Sequence, residues 1–402
     1  MTVAAVVGIG RVGLPLALFF ASKGVKTYGV DIDGAKVAGL RAKRLPFIEE
    51  GAQAVLERTA GTAFIPTTDF AALHDANIIF LTLGTPVDEF MNPDFSQIER
   101  ALASMLPHIK PGQTIVLRST VSPGSTEYVK NFIEKNTRFL IGRDVFLAFS
   151  PERIAEGKAM EELGELPEVV GSLDDKSRDA VVSFFQSLGK EVYSSEAINV
   201  ELLKLFTNMY RYINFSIGNE FLVIADDWGA NIHEIIALSN KNYPRGGPRI
   251  PGYAAGPCLF KDGFFLTANI PLPDLISAAW RINENLPGYL IQKAKRLKPL
   301  KDKKAVVLGL SFKADIDDDR ASLSHKIKKI LKREMAEVVV HDPYLAPGDL
   351  AQALQGADFV VVATAHTEYK KPLAWYQQSV KPGCVFIDVW NLFGKQSVVF
   401  SC

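Results

Sequence analysis

A glycine pattern directly after an apolar run constrains the fold of this chain more than any other feature. Residues 3 to 7 are valine and alanine, typical of a strand buried on both faces of a parallel sheet. A G-x-G-x-x-G turn follows, and residues 14 to 22 then have helical periodicity. This strand, turn and helix predict a dinucleotide site built from Gly8, Gly10, Arg11, Val12 and Gly13. The first glycine makes the turn, the second lets a pyrophosphate approach, and the third lets the helix pack closely.

An acidic residue at the end of the next predicted strand selects between the two nicotinamide dinucleotides. The strand covers residues 27 to 30 and ends at Asp31. A carboxylate there accepts hydrogen bonds from the adenosine ribose and repels a 2'-phosphate, which favours NAD over NADP.

Further buried strands are predicted at residues 77–83, 114–117 and 145–149, with a helix at 98–106, which is the doubly wound pattern. Polar residues follow these strands at Thr85, at 118–121 and at 150–157. Ligands bind in such sheets at the carboxyl ends of strands. Glu152 and Glu156 are four residues apart and share a face if their segment is helical.

Two helical segments are predicted in the middle of the chain. Residues 201–229 form one long helix that links domains or packs against a second copy, and residues 274–297 form the other. Lys204, Asn208 and Arg211 interrupt the apolar face of the long helix, either pairing with each other and the backbone or lining a pocket.

Strand patterns return at residues 305–308, 338–340, 359–363 and 385–389. We therefore expect an α/β fold with two Rossmann-like, doubly wound parallel-sheet domains joined by a helical domain with a long central helix. The expected domains are 1–195 for NAD, 196–298 for the helical and dimerising part, and 299–402 for a phosphate-bearing ligand.

A loop rich in glycine and proline, residues 243–265, contains Cys258. We expect the loop to expose the thiol, and a cation from Lys261, Arg245 or Arg249 to stabilise the thiolate, which is the reactive form. The alternative is a buried cysteine that acts only as a small apolar side chain.

Composition narrows the class of protein. The 45 basic and 45 acidic residues give no net charge to attract nucleic acid or an acidic membrane. Three widely separated cysteines argue for a reducing compartment, and no signal peptide or membrane span is read, so a cytoplasmic protein is expected. No metal site is predicted, because the aspartate run at 315–319 lacks the glycine and glutamate of a calcium loop.

Seven motifs occur in order along the chain: GIGRVGLPLA from Gly8, GTP from Gly84, STVSPGST from Ser119, SPERIAEG from Ser150, ELLKLFTN from Glu201, GPCLFKD from Gly256 and GLSFKADIDDDRAS from Gly309. Over nearly its full length the chain resembles the nucleotide-sugar 6-dehydrogenases, a family that includes UDP-glucose, GDP-mannose and UDP-N-acetylhexosamine dehydrogenases. The resemblance implies NAD as cofactor, a UDP-hexose as the expected substrate, and a homodimer built on the long helix.

The resemblance also implies a role for individual residues. Cys258 would be the nucleophile, Lys204 and Asn208 would stabilise an oxyanion, Asp262 and Thr120 would position water, and Glu152 would be the base for thioester hydrolysis. Contacts to NAD would come from Asp31, Lys36, Thr85, Thr120, Glu156, Lys261 and Arg320. Contacts to the nucleotide sugar would come from Glu152, Lys204, Asn208, Arg245, Gly252, Tyr253, Gly256 and Lys313.

The sugar stays open at this point. The family's loop usually carries two glycines shortly before the cysteine, where this chain has Ala255-Gly256-Pro257. Lys261-Asp262 is similar to the UDP-glucose branch, whereas Tyr243-Pro244-Arg245 is similar to the N-acetylhexosamine branch.

Three functions fit these observations. The first is a four-electron oxidation of the sugar C6 alcohol to a uronate through a thiohemiacetal and a thioester. The second is a two-electron alcohol or hydroxyacid dehydrogenase, with Lys204 as base and Cys258 incidental. The third is a sensor that binds NAD or a nucleotide sugar without turnover.

Overall fold

The computed structural model describes residues 2–89, 92–267 and 274–402, apart from the side chain of Phe260. The chain divides into two compact units. The first comprises Met1–Thr207 and Phe264–Asn269, and the second comprises Asn208–Gly263 and Ile270–Cys402.

The first unit is an α/β unit around one sheet. Within the described residues this sheet has eight strands in the order β3-β2-β1-β4-β5-β6-β7-β8. All neighbours are parallel except β6 and β7. The strands are β1 (Val3–Val7), β2 (Lys26–Val30), β3 (Phe64–Thr67), β4 (Ile78–Leu81), β5 (Thr114–Leu117), β6 (Phe146–Phe149), β7 (Glu168–Ser172) and β8 (Val192–Glu196).

Helices cover the faces of this sheet, and a phenylalanine cluster fills the layer between sheet and helices. Phe20 lies at the centre of that cluster, 4.9 Å from the ring of Phe80 and 5.1 Å from that of Phe184. The helices are α1 (Gly13–Ser22), α2 (Gly34–Arg41), α3 (Ala52–Thr59), α4 (Ser96–Met105), α5 (Ser125–Asn136), α6 (Ala159–Glu165) and α7 (Asp175–Ser187).

The next helix, α8, runs over Ala197–Asp227, so it begins four residues before the predicted start and ends two before the predicted end. The boundary between the units falls within it, after Thr207.

The second unit contains the remaining elements. Its sheet has the order β10-β9-β11-β12-β13 within the described residues, parallel except for the last pair. Its strands are β9 (Lys304–Leu308), β10 (Glu337–His341), β11 (Phe359–Val362), β12 (Val385–Ile387) and β13 (Val399–Ser401). Its helices are α9 (Ile232–Asn240), α10 (Leu259–Thr267, which continues into the first unit), α11 (Asp274–Leu297), α12 (Leu323–Arg333), α13 (Leu350–Leu354) and α14 (Leu373–Gln377).

The expected fold class is confirmed, since both units are parallel-dominated α/β structures. Strands β3, β7, β8 and β13 were not predicted. Strand β8 is largely exposed, and β3 carries Pro66, so neither shows the continuous apolar run that marks a buried strand.

One local prediction is wrong. The loop over 243–265 ends at Cys258, because residues 259–267 form α10. No proline interrupts this stretch, and the N–H groups of Lys261 and Asp262 donate to the Cys258 carbonyl at 3.2 and 3.1 Å. The condition under which Glu152 and Glu156 would share a helix face is not met, because their segment is not helical.

No helix in the described ranges has the length and apolar character needed to cross a membrane.

Candidate active site

The glycine turn after β1 has the geometry that dinucleotide binding requires. Gly8 has a φ of +90°, and a Cβ there would lie 2.9 Å from the Thr82 carbonyl. A Cβ on Gly13 would collide with the carbonyl oxygen of Gly8, so helix α1 can pack here only with glycine. A Cβ on Gly10 would meet no atom of the described residues within 4 Å. The backbone at Gly10 is therefore open to a pyrophosphate, in front of the amino end of α1.

Asp31 follows β2 directly, at the same carboxyl edge of the sheet as the glycine turn, because the Gly8 N–H donates to the Val30 carbonyl at 2.8 Å. Its Oδ2 lies 2.7 Å from Lys36 Nζ, and its Oδ1 accepts from the N–H of Asp33 at 3.0 Å. The structure thus brings together Asp31 and Lys36, both expected to contact NAD. Arg11, in the glycine turn, lies over the ring of Phe47 at 5.0 Å.

Hydrogen bonds join the loops after β4 and β5. The Thr85 hydroxyl donates to the Thr120 carbonyl at 2.6 Å, and the Ser119 hydroxyl donates to the Leu83 carbonyl at 2.5 Å. Two further predicted NAD-contacting residues, Thr85 and Thr120, are therefore neighbours at one edge of the sheet.

A buried arginine holds Glu152. Arg118, at the end of β5, is 1% exposed and binds Glu168 through two nitrogens, at 2.6 and 3.1 Å. Its Nε donates to Glu152 Oε2 at 3.0 Å. The other oxygen of Glu152 accepts from the N–H of Arg153 at 2.8 Å, so both carboxylate oxygens have donors. Burial alone would lower the pKa of Arg118, but the charges of Glu152 and Glu168 outweigh it and raise that pKa.

Two other predicted residues of the first unit lie on separate elements. Glu156 is half-buried in the turn before α6, and Lys204 is half-buried on α8. Glu49 organises the turn of Glu156, because its carboxylate accepts from the N–H groups of Gly157 and Ala159 at 3.0 and 2.7 Å.

The candidate nucleophile lies at the amino end of α10. Cys258 is exposed, as expected, and precedes the first residue of the helix. One turn further on, the buried Asp262 accepts a 2.6 Å hydrogen bond from the Asn208 side chain. The Lys261 ammonium lies 3.9 Å from the Asp262 carboxylate. The second unit thus brings together Cys258, Asp262, Asn208 and Lys261.

Arg245 and Arg249 are directed to aromatic rings. The Arg245 guanidinium donates to the Tyr243 hydroxyl at 2.7 Å and lies over that ring, and Arg249 lies over Phe215 at 5.5 Å. Among the cations expected to stabilise the thiolate, Lys261 is the one whose position on α10 is closest in sequence to Cys258.

The segment from Gly252 to Gly256 is fixed against the carboxyl end of the second sheet. Asn219 on α8 clamps Gly252, accepting from its N–H at 2.9 Å and donating to its carbonyl at 3.0 Å. A Cβ on Gly252 would lie 2.5 Å from the Trp390 ring. Tyr253 packs edge-on to that ring, and burial raises the pKa of its hydroxyl. Gly256 has a φ of +108°, which favours glycine there.

The loop after β9 carries Lys313 and Arg320. Arg320 forms hydrogen bonds of 2.6 to 3.0 Å with the buried Asp318, within the aspartate run. Lys313 is half-buried in the same loop.

Sequence reasoning missed Arg118 as an anchor, and it missed Glu168, Asn219, Asp342 and His366. Each is a polar residue within or next to an apolar segment, which is the signal that could have marked it.

The glycine turn with Asp31 is typical of an NAD-binding α/β protein, and in the second unit the exposed Cys258 lies one helical turn before a buried Asn208–Asp262 pair. Three domain models of a single family match the chain. They are the NAD binding domain at residues 1–193, the central domain at 199–285 and the UDP binding domain at 306–395. The chain belongs to the UDP-glucose/GDP-mannose dehydrogenase family.

The chain is 31% identical over 377 residues to the UDP-N-acetyl-D-mannosamine dehydrogenase of Pyrococcus horikoshii, covering 91% of this chain and 90% of that protein. A solved structure of a UDP-D-ManNAc dehydrogenase from Pyrococcus horikoshii has a TM-score of 0.89 at 30% identity, covering 94% and 93% of the two chains. The UDP-N-acetyl-mannosamine dehydrogenase structure from Staphylococcus aureus has a TM-score of 0.87 at 29% identity, covering 98% and 96%.

These matches confirm the family resemblance and NAD as the cofactor. The substrate is a nucleotide sugar.

Proposed function

We propose that this enzyme oxidises the C6 hydroxyl of a UDP-sugar to the uronate in two successive two-electron steps, with Cys258 as the covalent nucleophile. The observation that carries the proposal is the exposure of Cys258 at the amino end of α10, one turn before an Asp262 carboxylate fixed by Asn208. An alcohol oxidation alone has no use for such a thiol. Oxidation of an aldehyde to an acid does use one.

When bound, NAD accepts a hydride in each of the two oxidations. The protein's own contribution begins at the aldehyde, whose carbonyl carbon the Cys258 thiolate attacks to form a carbon–sulfur bond. Oxidation of the resulting thiohemiacetal gives a thioester on Cys258. Water then adds to the thioester, the carbon–sulfur bond breaks, and the uronate and the thiolate are released.

The remaining residues support these steps. The partial positive charge at the amino end of α10 favours the thiolate of Cys258. The Asn208 amide and the Lys204 ammonium are the proposed donors to the oxyanion, a role suited to fixed donors. Asp262 and Thr120 are proposed to position water, and Glu152 to take its proton. Because both oxygens of Glu152 already accept hydrogen bonds, that proton transfer would exchange one of them.

We propose that the nucleotide part of the substrate binds in the second unit, at Lys313 and at the segment from Gly252 to Gly256. Both lie at the carboxyl end of the second sheet, where ligands bind in parallel α/β folds. The contacts of Lys261 and Arg320 with NAD, and of Arg245 with the sugar, stay predictions.

Cys258→Ser tests the covalent scheme. The variant should bind NAD as the wild type does and should form no uronate. Wild type should yield two NADH per uronate. For the alkylation assay with iodoacetamide, the Cys258→Ser variant and its parent enzyme both also carry Cys402→Ser, because Cys402 is partly exposed and would react as well. Full activity of the serine variant, or one NADH per product with no effect of iodoacetamide, would instead favour the two-electron dehydrogenase.

We infer UDP-N-acetyl-D-mannosamine as the first substrate to test, because the relatives compared above carry that name. The assay is NADH absorbance with UDP-N-acetylmannosamine, UDP-glucose, UDP-N-acetylgalactosamine and GDP-mannose. A higher kcat/KM for another sugar would overturn this assignment. Thermal shifts without any NADH would indicate a binding protein.

We also propose a homodimer through α8. An apolar stripe of this helix is exposed, including Tyr210 at 72%, Phe221 and Ile224, and Trp228, directly after the helix, is 83% exposed. Large contiguous apolar surfaces of this kind mark interfaces. Light scattering should give twice the chain mass of 44.1 kDa, and a double Phe221→Glu, Trp228→Glu variant should give the monomer mass. A wild-type mass of one chain would refute the dimer.

A further inference from the structure

The loop that carries Lys313 is held by a buried network whose centre is His366. The imidazole follows β11 and is 0% exposed. Its Nδ1 lies 2.9 Å from the backbone nitrogen of Asp315. A backbone N–H can only donate, so Nδ1 is the acceptor and Nε2 carries the proton.

The protonated Nε2 reaches two groups. It lies 3.1 Å from Asp342 Oδ2 and 3.1 Å from the Ser311 hydroxyl oxygen. That hydroxyl in turn donates to the carbonyl of Lys313 itself, at 2.8 Å. His366 therefore contacts the loop two residues before Lys313 and two residues after it.

Asp342 completes the network. It is fully buried, and its Oδ2 also accepts from the N–H groups of Leu310 and Ser311 at 2.6 and 3.2 Å. Burial opposes its ionisation, but the hydrogen bonds from His366 and the backbone outweigh burial and lower its pKa. A fixed carboxylate thus orients the imidazole, and the imidazole orients the loop.

The backbone after Lys313 needs this support. Asp315 has a φ of +61°, a conformation that residues other than glycine adopt at a cost. It is held by His366 at its N–H and by Thr367, which donates its N–H and hydroxyl to the Asp315 carboxylate at 2.9 and 2.7 Å.

We propose that His366 is a positioning residue for the nucleotide sugar: it fixes the backbone on both sides of Lys313, so that the ammonium group is aimed at the diphosphate of the substrate. This inference rests on the proposed binding of the nucleotide by Lys313. A purely structural histidine would affect folding alone, whereas this one affects the affinity for a nucleoside diphosphate.

The test uses variants that each replace the hydrogen-bonding function of one of the two imidazole nitrogens. His366→Asn can keep an acceptor for the Asp315 N–H, and His366→Gln can keep a donor to Asp342 and Ser311. His366→Phe keeps the ring volume and loses both. The phenylalanine variant should raise KM for the nucleotide sugar about tenfold, with kcat changed less than about threefold and KM for NAD unchanged, because the loop that carries Lys313 loses its hydrogen bonds to His366. The asparagine and glutamine variants should lie between it and wild type.

His341→Phe is the matched control. This second buried histidine bonds to the Tyr369 hydroxyl and the Gly348 carbonyl instead of the Lys313 loop. It should lose comparable stability and keep its KM for the nucleotide sugar. If His341→Phe raises this KM as much as His366→Phe does, the proposal is wrong.

Calorimetry with UDP separates this inference from the proposed reaction. His366→Asn should weaken UDP binding in the wild type and have no effect in a Lys313→Met background. Equal weakening in both backgrounds would overturn the positioning role. If wild type makes no NADH from any sugar yet shows this pattern with UDP, the proposed reaction fails and the positioning role stands.

Discussion

In the buried ion cluster at the end of β5, the effect of a Glu168 substitution on stability should change sign when Arg118 is removed. Glu152 and Glu168 both pair with Arg118, whose single positive charge balances only one of the two carboxylates. All three side chains are less than 9% exposed. The Arg118 nitrogens also bond to Ser150, with Nη1 at 2.9 Å from the hydroxyl oxygen. Replacing Arg118 with Met leaves two buried carboxylates without their hydrogen-bonded counter-charge.

Removing one partner from a buried pair costs roughly 3–5 kcal/mol. We expect Arg118→Met to lower the free energy of unfolding of the first unit by about 4 kcal/mol or more, which is a large part of the stability of a typical domain. Arg118→Lys keeps the charge but loses the two-pronged contact with Glu168, and should cost about half as much.

Glu168→Gln should change stability in opposite directions in the wild type and in the Arg118→Met variant. In the wild type it removes a charged hydrogen-bond acceptor and should destabilise by about 1–3 kcal/mol. In the Arg118→Met background it removes an unpaired buried charge, so it should restore stability.

Urea unfolding measures these effects, with far-UV circular dichroism reporting both units. All four tryptophans lie in the second unit, so tryptophan fluorescence serves as the internal control. The dichroism midpoint should fall more than the fluorescence midpoint. If Glu168→Gln destabilises both backgrounds equally, Arg118 and Glu168 are not coupled and the reasoning is wrong.

Three further predictions follow from the geometry. Gly10→Ala should leave stability within about 0.5 kcal/mol of wild type and raise KM for NAD, whereas Gly13→Ala should destabilise strongly because its Cβ would collide with the Gly8 carbonyl; equal melting temperatures would contradict this. Burial opposes ionisation of Asp358, but hydrogen bonds from Lys381, Lys298 and the Lys304 N–H lower its pKa to about 2. The ionised carboxylate therefore stabilises the fold fully above about pH 4, and this stabilisation is lost as pH falls toward 2. In urea titrations Asp358→Asn should lower the free energy of unfolding by roughly 1–2 kcal/mol at pH 7 and should have no effect near pH 2. Asn219→Ala should cost about 2–4 kcal/mol and raise KM for the nucleotide sugar without changing KM for NAD, since the buried backbone of Gly252 loses both partners; an equal rise in both KM values would argue against a local effect.

The sequence predicts the conformation of the glycine turn and the exposure of Cys258, because each depends on particular residue types at fixed spacing. Gly8 and Gly13 are required by close contacts, and Asp31 follows a strand whose end faces the same edge. The exposure of Cys258 follows from the glycine and proline around it. Its position at a helix start does not, because only the hydrogen bonds to its carbonyl show where α10 begins.

What the sequence does not predict is which distant polar groups meet. Arg118 and Glu168 are 50 residues apart, and Ser311 and His366 are 55 apart. Each was visible as a polar residue next to an apolar strand, but periodicity carries no information on its partner. Glu152 shows the consequence: it was expected as a base, and the structure shows its carboxylate engaged with a buried arginine.

Both units use the same solution to one physical problem. Loops at the carboxyl ends of parallel strands contain many backbone groups that the sheet does not satisfy, and leaving them unpaired near the core is costly. A buried charged side chain satisfies them: Arg118 bonds to the Ser150 carbonyl of the neighbouring loop in the first unit, and Asp342 accepts two N–H groups of the loop after β9 and two of its own loop in the second. Loops anchored in this way can present Glu152 or Lys313 without relying on a ligand for their shape. Substitutions at the anchors should therefore reduce stability and ligand affinity together, whereas Lys313→Met should reduce affinity for UDP and leave the unfolding midpoint in place.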